Sequence, residues 1–332
     1  MAVSRGDKPP VDPVRWQPPP LRTLPPPDLN GFLRVIGIPG HAPEDVVVDA
    51  DGSIWTGTDD GAIIRIRTGH APEVVANTGG RPLGLAVARD GRLLICDSHR
   101  GLLRLDPTSG VFETLVSEVA GRPLMFCSNV VESSDGTIYF TESTARFRYE
   151  YYKGAVLEAR PSGSLFRRDV DGTVTTLATG LRFANGVALT ADESALVVAE
   201  TTGCRVSKYP LTGSGIGEPV PLIEHLPGYP DNISLAPDGR IWVALVSERN
   251  AIGEWLAPRA PIVRRLMWKL PYAWMPSPKP TVWAIAIDLD GTLRAQVRTV
   301  DPRFGLVTGL VEHEGTLWLG CIGSSAVACL DL

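Results

Sequence analysis

One recurring phrase constrains the fold of this chain more than any other feature. A polar start leads into an apolar strand, a turn containing Asp-Gly follows, and a second apolar strand returns. The copies are EDVVVDADGSIWTGT from Glu44, LGLAVARDGRLLICDS from Leu83, SNVVESSDGTIYFTES from Ser128, NGVALTADESALVVAE from Asn185, DNISLAPDGRIWVAL from Asp231 and TGLVEHEGTLWLG from Thr308. The turns supply the positive φ and side-chain capping that a hairpin needs, and the flanking Val, Ile, Leu and Trp suit a pleated, buried surface. Most copies are followed by two further strand-like runs, such as AIIRIR and PEVVANT after the first, so the unit is a four-stranded one. The sixth copy has only AVACLDL before the chain ends, and LRVIGI (Leu33 to Ile38) is left over at the start. Pairing those two would close a ring and remove exposed edges. The expected fold is all-β, a six-bladed β-propeller, in preference to a large sandwich or barrel, because the spacing suits blades.

In such a ring the first strand of each blade lines the central channel, and all first strands run the same way. Their starting residues converge on one end, here called the top: Glu44, Leu83, Asn129, Asn185, Asp231 and Thr308. Taken singly, Asn and Asp are ordinary caps of strand ends. Taken together, two acids brought into a narrow channel need a counter-charge, and no Lys or Arg occupies any of the six positions. Two carboxylates and two amide carbonyls suit a hard cation, and the absence of His and Cys argues against zinc. We therefore expect one Ca²⁺ held by Glu44, Asn129, Asn185 and Asp231.

The loops between second and third strands also fall at the top. They include His99 in blade two, a stretch from Glu142 to Gly163 in blade three, and a long insertion from about Ser247 to Pro280 in blade five. Two long insertions on one face suggest a lid over a pocket. His99 is the histidine placed to assist catalysis, an exposed loop residue being the plain alternative. His41, just ahead of Glu44, is a weaker candidate, and His313 falls in a bottom turn. The blade-five insertion carries PIVRRLMWKL, which reads as a short helix with Pro261 near its start. Its mixture of Trp and basic residues allows contact with a membrane surface across residues 255–275, but a hydrophobic lid packed on the propeller is the preferred reading.

Hydrophobic residues make up 44% of the 332 residues, enough for a large core, and the formal net charge of -5 argues against nucleic acid as a partner. The five cysteines are odd in number and form no CxxC pair, which suits core residues in a reducing compartment. Residues 1–30 are rich in proline and lack a signal-peptide core, so they read as an extended arm preceding a propeller domain at 31–332. With no apolar run long enough to span a membrane, the expected location is the cytoplasm.

Several segments, among them GRPLGLAV, GLRFANGVALTADES, VVAETTGCRVSKYPL and LPGYPDNISLAPDGRIWVAL, carry a resemblance. The chain resembles the strictosidine synthase-like proteins, especially the adipocyte plasma membrane-associated branch, from about Gly31 to Leu332. The wider superfamily holds gluconolactonases, regucalcin, paraoxonases and phosphotriesterase-type propellers. The resemblance implies a six-bladed propeller with a channel calcium ion and, in many members, lactone or ester hydrolysis. It matches Glu44, Asn129, Asn185 and Asp231 to the family's metal ligands, with Asn232 following Asp231 as in paraoxonases. Three departures narrow the chemistry. Leu83 stands where paraoxonases place a histidine, Val130 where they carry an acid (although Asp45 remains), and Thr308 where strictosidine synthases carry a catalytic glutamate. Where the membrane-associated relatives have an N-terminal transmembrane segment, the expectation for this chain is the proline-rich arm instead. The expected activity is calcium-dependent hydrolysis of a lactone or carboxylic ester, of lactonase or arylesterase type. Asp231 would activate water, with His99 as helper. Asn232, Leu83, Phe126, Thr308, Glu142 and Tyr229 would contact the substrate. Another metal-site enzyme, such as a phosphotriesterase or a carbon–carbon bond-forming synthase, and a non-catalytic calcium-bound propeller are the alternatives.

Overall fold

The computed structural model describes residues 8–28, 32–213 and 217–332. Six four-stranded antiparallel sheets follow one another along the chain, each numbered here as a blade. Their innermost strands are Val46–Val48, Pro82–Val87, Cys127–Glu132, Ala184–Leu189, Gly228–Leu235 and Val307–His313. Blades one to five add their second, third and fourth strands in sequence order. Blade six takes its fourth strand, Arg34–Gly37, from the start of the chain, where it pairs antiparallel with the last strand, Ala326–Asp331. The leftover LRVIGI segment thus closes the ring, as the repeat predicts.

The hairpin joining the first two strands of blades two to five is built by one local device, a turn Asp that accepts from the chain two residues on. In blade three the Asp135 carboxylate accepts from Ser133 Oγ at 2.6 Å and from Thr137 N at 2.9 Å, and Gly136 supplies the positive φ. Blade four lacks the glycine; Glu193 adopts φ +54° in its place. Between blades, Val, Ile, Leu, Ala and Trp side chains from facing sheets form the cores. Trp242, Val307 and Leu319 pack between blades five and six, and Trp283, Val197 and Val243 between blades four and five.

The innermost strands share an irregularity that sets the channel. In blades two to six the register slips near the top, so two consecutive residues oppose one on the second strand. The first residues of these pairs are Leu83, Ser128, Asn185, Asp231 and Thr308; the second are Gly84, Asn129, Gly186, Asn232 and Gly309. Glu44 and Asp45, just ahead of Val46–Val48, take the same two places in blade one, with Glu44 N donating to Gly57 O. The second ring therefore alternates polar residue and glycine around the channel, and close packing is the reason. A Cβ on Gly186 would lie 2.4 Å from Ile233 N, and one on Gly309 2.4 Å from Asp45 Oδ1.

The proline-rich segment lies extended along the surface rather than free. Val14 N donates to Glu158 O, Trp16 N to Ala257 O, and Arg22 N to His225 O. It thereby runs from the top insertions down the side of blades four and five.

Candidate active site

A carboxylate and an amide meet at the top of the channel, and a second carboxylate lies close enough for its charge to act on the first. Asn185 Nδ2 donates to Asp231 Oδ1 at 2.6 Å, and Asn185 Oδ1 accepts from Ser128 Oγ at 3.1 Å. Glu44 faces them from blade one. All three side chains are buried. Burial is the main cause that pushes the Asp231 carboxyl well above its ordinary value, and the charge of Glu44 adds to it. Asp45, one residue below, is raised to about 7, again chiefly by burial.

Register separates Asn129 from this group. By its place in the bulge it belongs with Asp45 and Asn232, and Ser128 takes the position in line with Glu44, Asn185 and Asp231. Asn129 Oδ1 accepts from Val187 N at 3.0 Å, which fixes its amide orientation because a backbone N–H can only donate. Its Nδ2 then donates to Asp45 Oδ2 at 3.3 Å. Asp45 in turn accepts from Leu85 N at 2.9 Å. These two side chains stitch blade one to two and blade three to four. Asn129 is thus occupied as a fastener below the site, a difference from its expected place among the metal ligands.

The counter-charge is also found elsewhere than expected. Arg81, two residues ahead of Leu83, is buried and reaches sideways to Glu44 Oε2 at 2.6 Å. A second guanidinium nitrogen donates to Ala42 O at 3.0 Å, and Tyr149 stacks on the group with 4.5 Å to its ring centroid. Even with this partner, burial holds the Glu44 carboxyl above its ordinary value. Sequence reading misses Arg81 because it inspects only the residues that begin the strands.

Insertions from blades three and five close over the mouth. A 3-10 turn at Tyr149–Tyr151 and helix α1 (Tyr152–Glu158) come from blade three; helices α2 (Ala251–Leu256) and α3 (Pro261–Trp268) come from blade five. Leu83, Phe126, Phe147, Phe183, Trp268 and Met275 form one buried cluster above the channel, and Phe126 meets Phe183 edge-on at 5.4 Å. Leu83 and Phe126 therefore lie at the mouth.

The other candidates are engaged in structural contacts. Glu142 is buried against Arg122, with 2.6 Å between Oε2 and the guanidinium, and also accepts from Met125 N. Glu200 does the same for Arg205 and Arg182 N, so an acid at the top of a second strand is a recurrent loop clamp. Tyr229 Oη accepts from Asn250 N at 3.0 Å, anchoring the start of α2, and burial pushes its hydroxyl up to about 12. Thr308 Oγ1 donates to Glu44 O at 2.6 Å, so it steadies Glu44 and offers no acid of its own. Asn232 is buried beside Asp231 with its Nδ2 unpartnered. The His99 ring rests on Glu150 at the rim, not on a channel carboxylate. His41 faces Asp59 at 3.4 Å.

Among the described residues no cluster of three or more His, Cys, Asp or Glu side chains is arranged as a metal cage. The donor chemistry at the top of the channel nevertheless fits a hard cation. Three buried acids, Glu44, Asp45 and Asp231, face one guanidinium, and Glu44, Asn185 and Asp231 offer only oxygen donors once the Asn185 amide turns over. Asn129 does not fit, since both ends of its amide are committed.

A six-bladed propeller with oxygen donors and an aromatic mouth at one end of its channel defines the class. Residues 59–253 match the family described as the SMP-30/gluconolactonase/LRE-like region, and residues 30–66 match the N-terminal region of strictosidine synthase-like proteins. The chain is 33% identical to the adipocyte plasma membrane-associated protein of Salmo salar, covering 84% of this chain and 73% of that one. It is 32% identical to a strictosidine synthase-like protein of Arabidopsis thaliana, covering 88% and 79% respectively. Among solved structures, a gluconolactonase from Xanthomonas campestris superposes with a TM-score of 0.68 at 18% identity over 97% of both chains. Regucalcin of Agrobacterium tumefaciens, described as a calcium-binding protein, gives 0.62 at 17% identity over 88% of this chain and 90% of that one. The chain belongs to the SMP-30/gluconolactonase-like family, in its strictosidine synthase-like branch.

Proposed function

We propose that the protein is a calcium-dependent hydrolase of a lactone or carboxylic ester, acting at the top of the channel. The observation that carries this reading is the buried Asp231–Asn185 pair beneath an apolar mouth, with the buried Glu44 carboxylate close enough for its charge to act on Asp231. Membership of a gluconolactonase-containing family supports it. Glu44, Asn185 and Asp231 would hold the ion, which when bound supplies polarisation of the substrate carbonyl and stabilisation of the developing oxyanion. Asp231 accepts a proton from the attacking water. The water oxygen bonds to the carbonyl carbon, the acyl–oxygen bond breaks, and the proton passes to the leaving alkoxide. Arg81 and Thr308 hold Glu44 in place. Leu83, Phe126 and Phe183 exclude water and favour an apolar substrate. The five buried, unpaired cysteines suit a reducing compartment such as the cytoplasm.

The test is hydrolysis of aryl esters and a lactone panel by purified protein with and without chelator. Asp231→Asn is expected to lower kcat/KM by about 100-fold or more, the order typical of losing a general base or oxyanion partner. Turnover that survives both chelation and Asp231→Asn would sink the reading. One observation favours a second reading, a non-catalytic binding propeller. Arg81 already neutralises Glu44 without any cation. No turnover on any ester, with thermal stability indifferent to chelator, supports that alternative.

A further inference from the structure

Helix α3 is turned inside out relative to an ordinary surface helix. Its charged Arg264 and its Trp268 are buried, while Ile262 (54% exposed), Val263 and Leu266 (56%) face outward. A surface helix of a globular protein normally turns its apolar face to the core. The preferred sequence reading, a hydrophobic lid packed on the propeller, therefore holds for Leu256, Ala257, Trp268 and Met275 but not for Ile252, Trp255, Ile262, Val263, Leu266, Leu270 and Trp274, which are exposed.

The orientation is fixed from within. The Arg264 guanidinium donates to Leu157 O at 2.9 Å, to Ala257 O at 3.1 Å and to Val14 O at 2.6 Å. Those carbonyls belong to the end of α1, the end of α2 and the N-terminal arm. Trp268 Nε1 donates to Pro9 O at 2.8 Å, and Lys8 Nζ binds Leu270 O at 2.6 Å. A rotation of α3 that hid Leu266 would strip a buried cation of its acceptors, a change that is strongly unfavourable.

The outward face is apolar, aromatic and basic together. Of the sixteen exposed large hydrophobic side chains among the described residues, seven lie between Ile252 and Trp274, so the exposure is concentrated in this one insertion. Trp274 is 73% exposed. Arg259 stacks on the exposed Trp255 at 3.6 Å, and Lys269 is exposed beside Leu270. Residues 251–280 hold five cations against the single acid Glu254, in a chain whose overall charge is -5. Arg264 is buried and Arg265 pairs with Asp12 at 2.6 Å, which leaves Arg259, Lys269 and Lys279 as the exposed basic groups. Glu254 is itself bound to Arg249.

We propose that this face docks on an anionic lipid membrane surface. Trp and aliphatic side chains enter the headgroup boundary, and Arg259 and Lys269 meet lipid phosphate and carboxylate groups. Charge complementarity selects a lipid surface as the occupant, because a concentrated basic rim around exposed Trp and Leu is what an interfacial helix needs. No described helix is long and apolar enough to cross a membrane, so the contact lies in the plane of the surface. The inference does not depend on the hydrolase reading, since none of these residues touches Glu44, Asn185 or Asp231.

Co-sedimentation of the full chain with vesicles of phosphatidylcholine alone, or of phosphatidylcholine with phosphatidylserine, tests it. Binding is expected with the anionic vesicles, weakening as salt rises, and about tenfold or more weaker with phosphatidylcholine alone. Leu266→Glu with Trp274→Glu, and separately Arg259→Glu with Lys269→Glu, are each expected to lower partitioning by about tenfold or more with an unchanged thermal midpoint. Three outcomes overturn the proposal. One is no binding to anionic vesicles at low salt, and another is undiminished binding by both folded variants. The third is a vesicle-indifferent dimer that these variants convert to monomer, which would assign the face to a second copy of the chain.

Discussion

Arg81 and Glu44 form the pair on which the channel's electrostatics turn. Both are buried, and among the described residues the guanidinium is the positive charge that pairs with one of three buried carboxyls. Removing one partner of a buried pair leaves the other uncompensated, so Arg81→Met is expected to destabilise the calcium-free protein by about 3–5 kcal/mol. Added calcium is expected to restore more stability to Arg81→Met than to the wild type, because it replaces the missing charge. Denaturant midpoints with and without calcium check both statements. The carboxyls also set a pH dependence. Burial raises Glu44, Asp45 and Asp231 above their ordinary values, so the folded protein binds their protons more tightly than the unfolded chain does. Their contribution is fully present below the unfolded values, 3.8 for the two aspartates and 4.5 for Glu44, and is lost as pH rises through about 7 for Asp45. Chelated protein is thus expected to lose stability from these groups over that window. Calcium, competing with their protons, is expected to stabilise more as pH rises. Urea titrations across the window read both trends.

At the scale of elements, the paired bulges of the innermost strands hold the site in place. Gly186 has no room for a side chain beside Ile233, so Gly186→Ala is expected to cost about 1–3 kcal/mol by forcing two inner strands apart. Calorimetric melting of that variant is the check. The repeat itself is legible in sequence because each blade carries its own Asp-Gly hairpin and apolar strands, which are local signals. The bulge is not legible. The blade-three phrase begins at Ser128, but the side-chain chemistry draws the expectation to the amide of Asn129, and pairing with Ile138–Glu142 shows that Ser128 holds the upper place. Glu44, Asn185 and Asp231 can be read because their phase coincides with the start of the phrase. Arg81 and Tyr149 cannot, since one reaches across from a position outside the phrase and the other arrives on an insertion. Glu142 and Tyr229 look free in sequence, yet local loop contacts occupy them. Helix α3 is predicted with its proline at the first turn, but its facing is decided by tertiary acceptors for Arg264 that periodicity does not reveal.

Across the whole molecule, two segments of the N-terminal region have separate tasks. Residues 8–28 brace the top insertions and the side of blades four and five, whereas Arg34–Gly37 closes the ring. Deleting residues 1–28 is therefore expected to loosen the blade-five insertion, seen as faster proteolysis within 250–280, while propeller unfolding stays cooperative. Deleting residues 1–38 is expected to lower the denaturant midpoint and broaden the transition, because blade six then ends on an unpaired edge. The ring exists to bring six strand starts to one point, and the account rests on what that point holds. Isothermal titration of calcium into chelator-treated protein tests this most directly. One site is expected for the wild type and for Leu83→Ala. Binding is expected to be lost in Asp231→Asn and in Glu44→Gln, both folded by circular dichroism. No heat from the wild type, or equal binding by both acid variants, would contradict the assignment of a hard-cation site to the top of the channel.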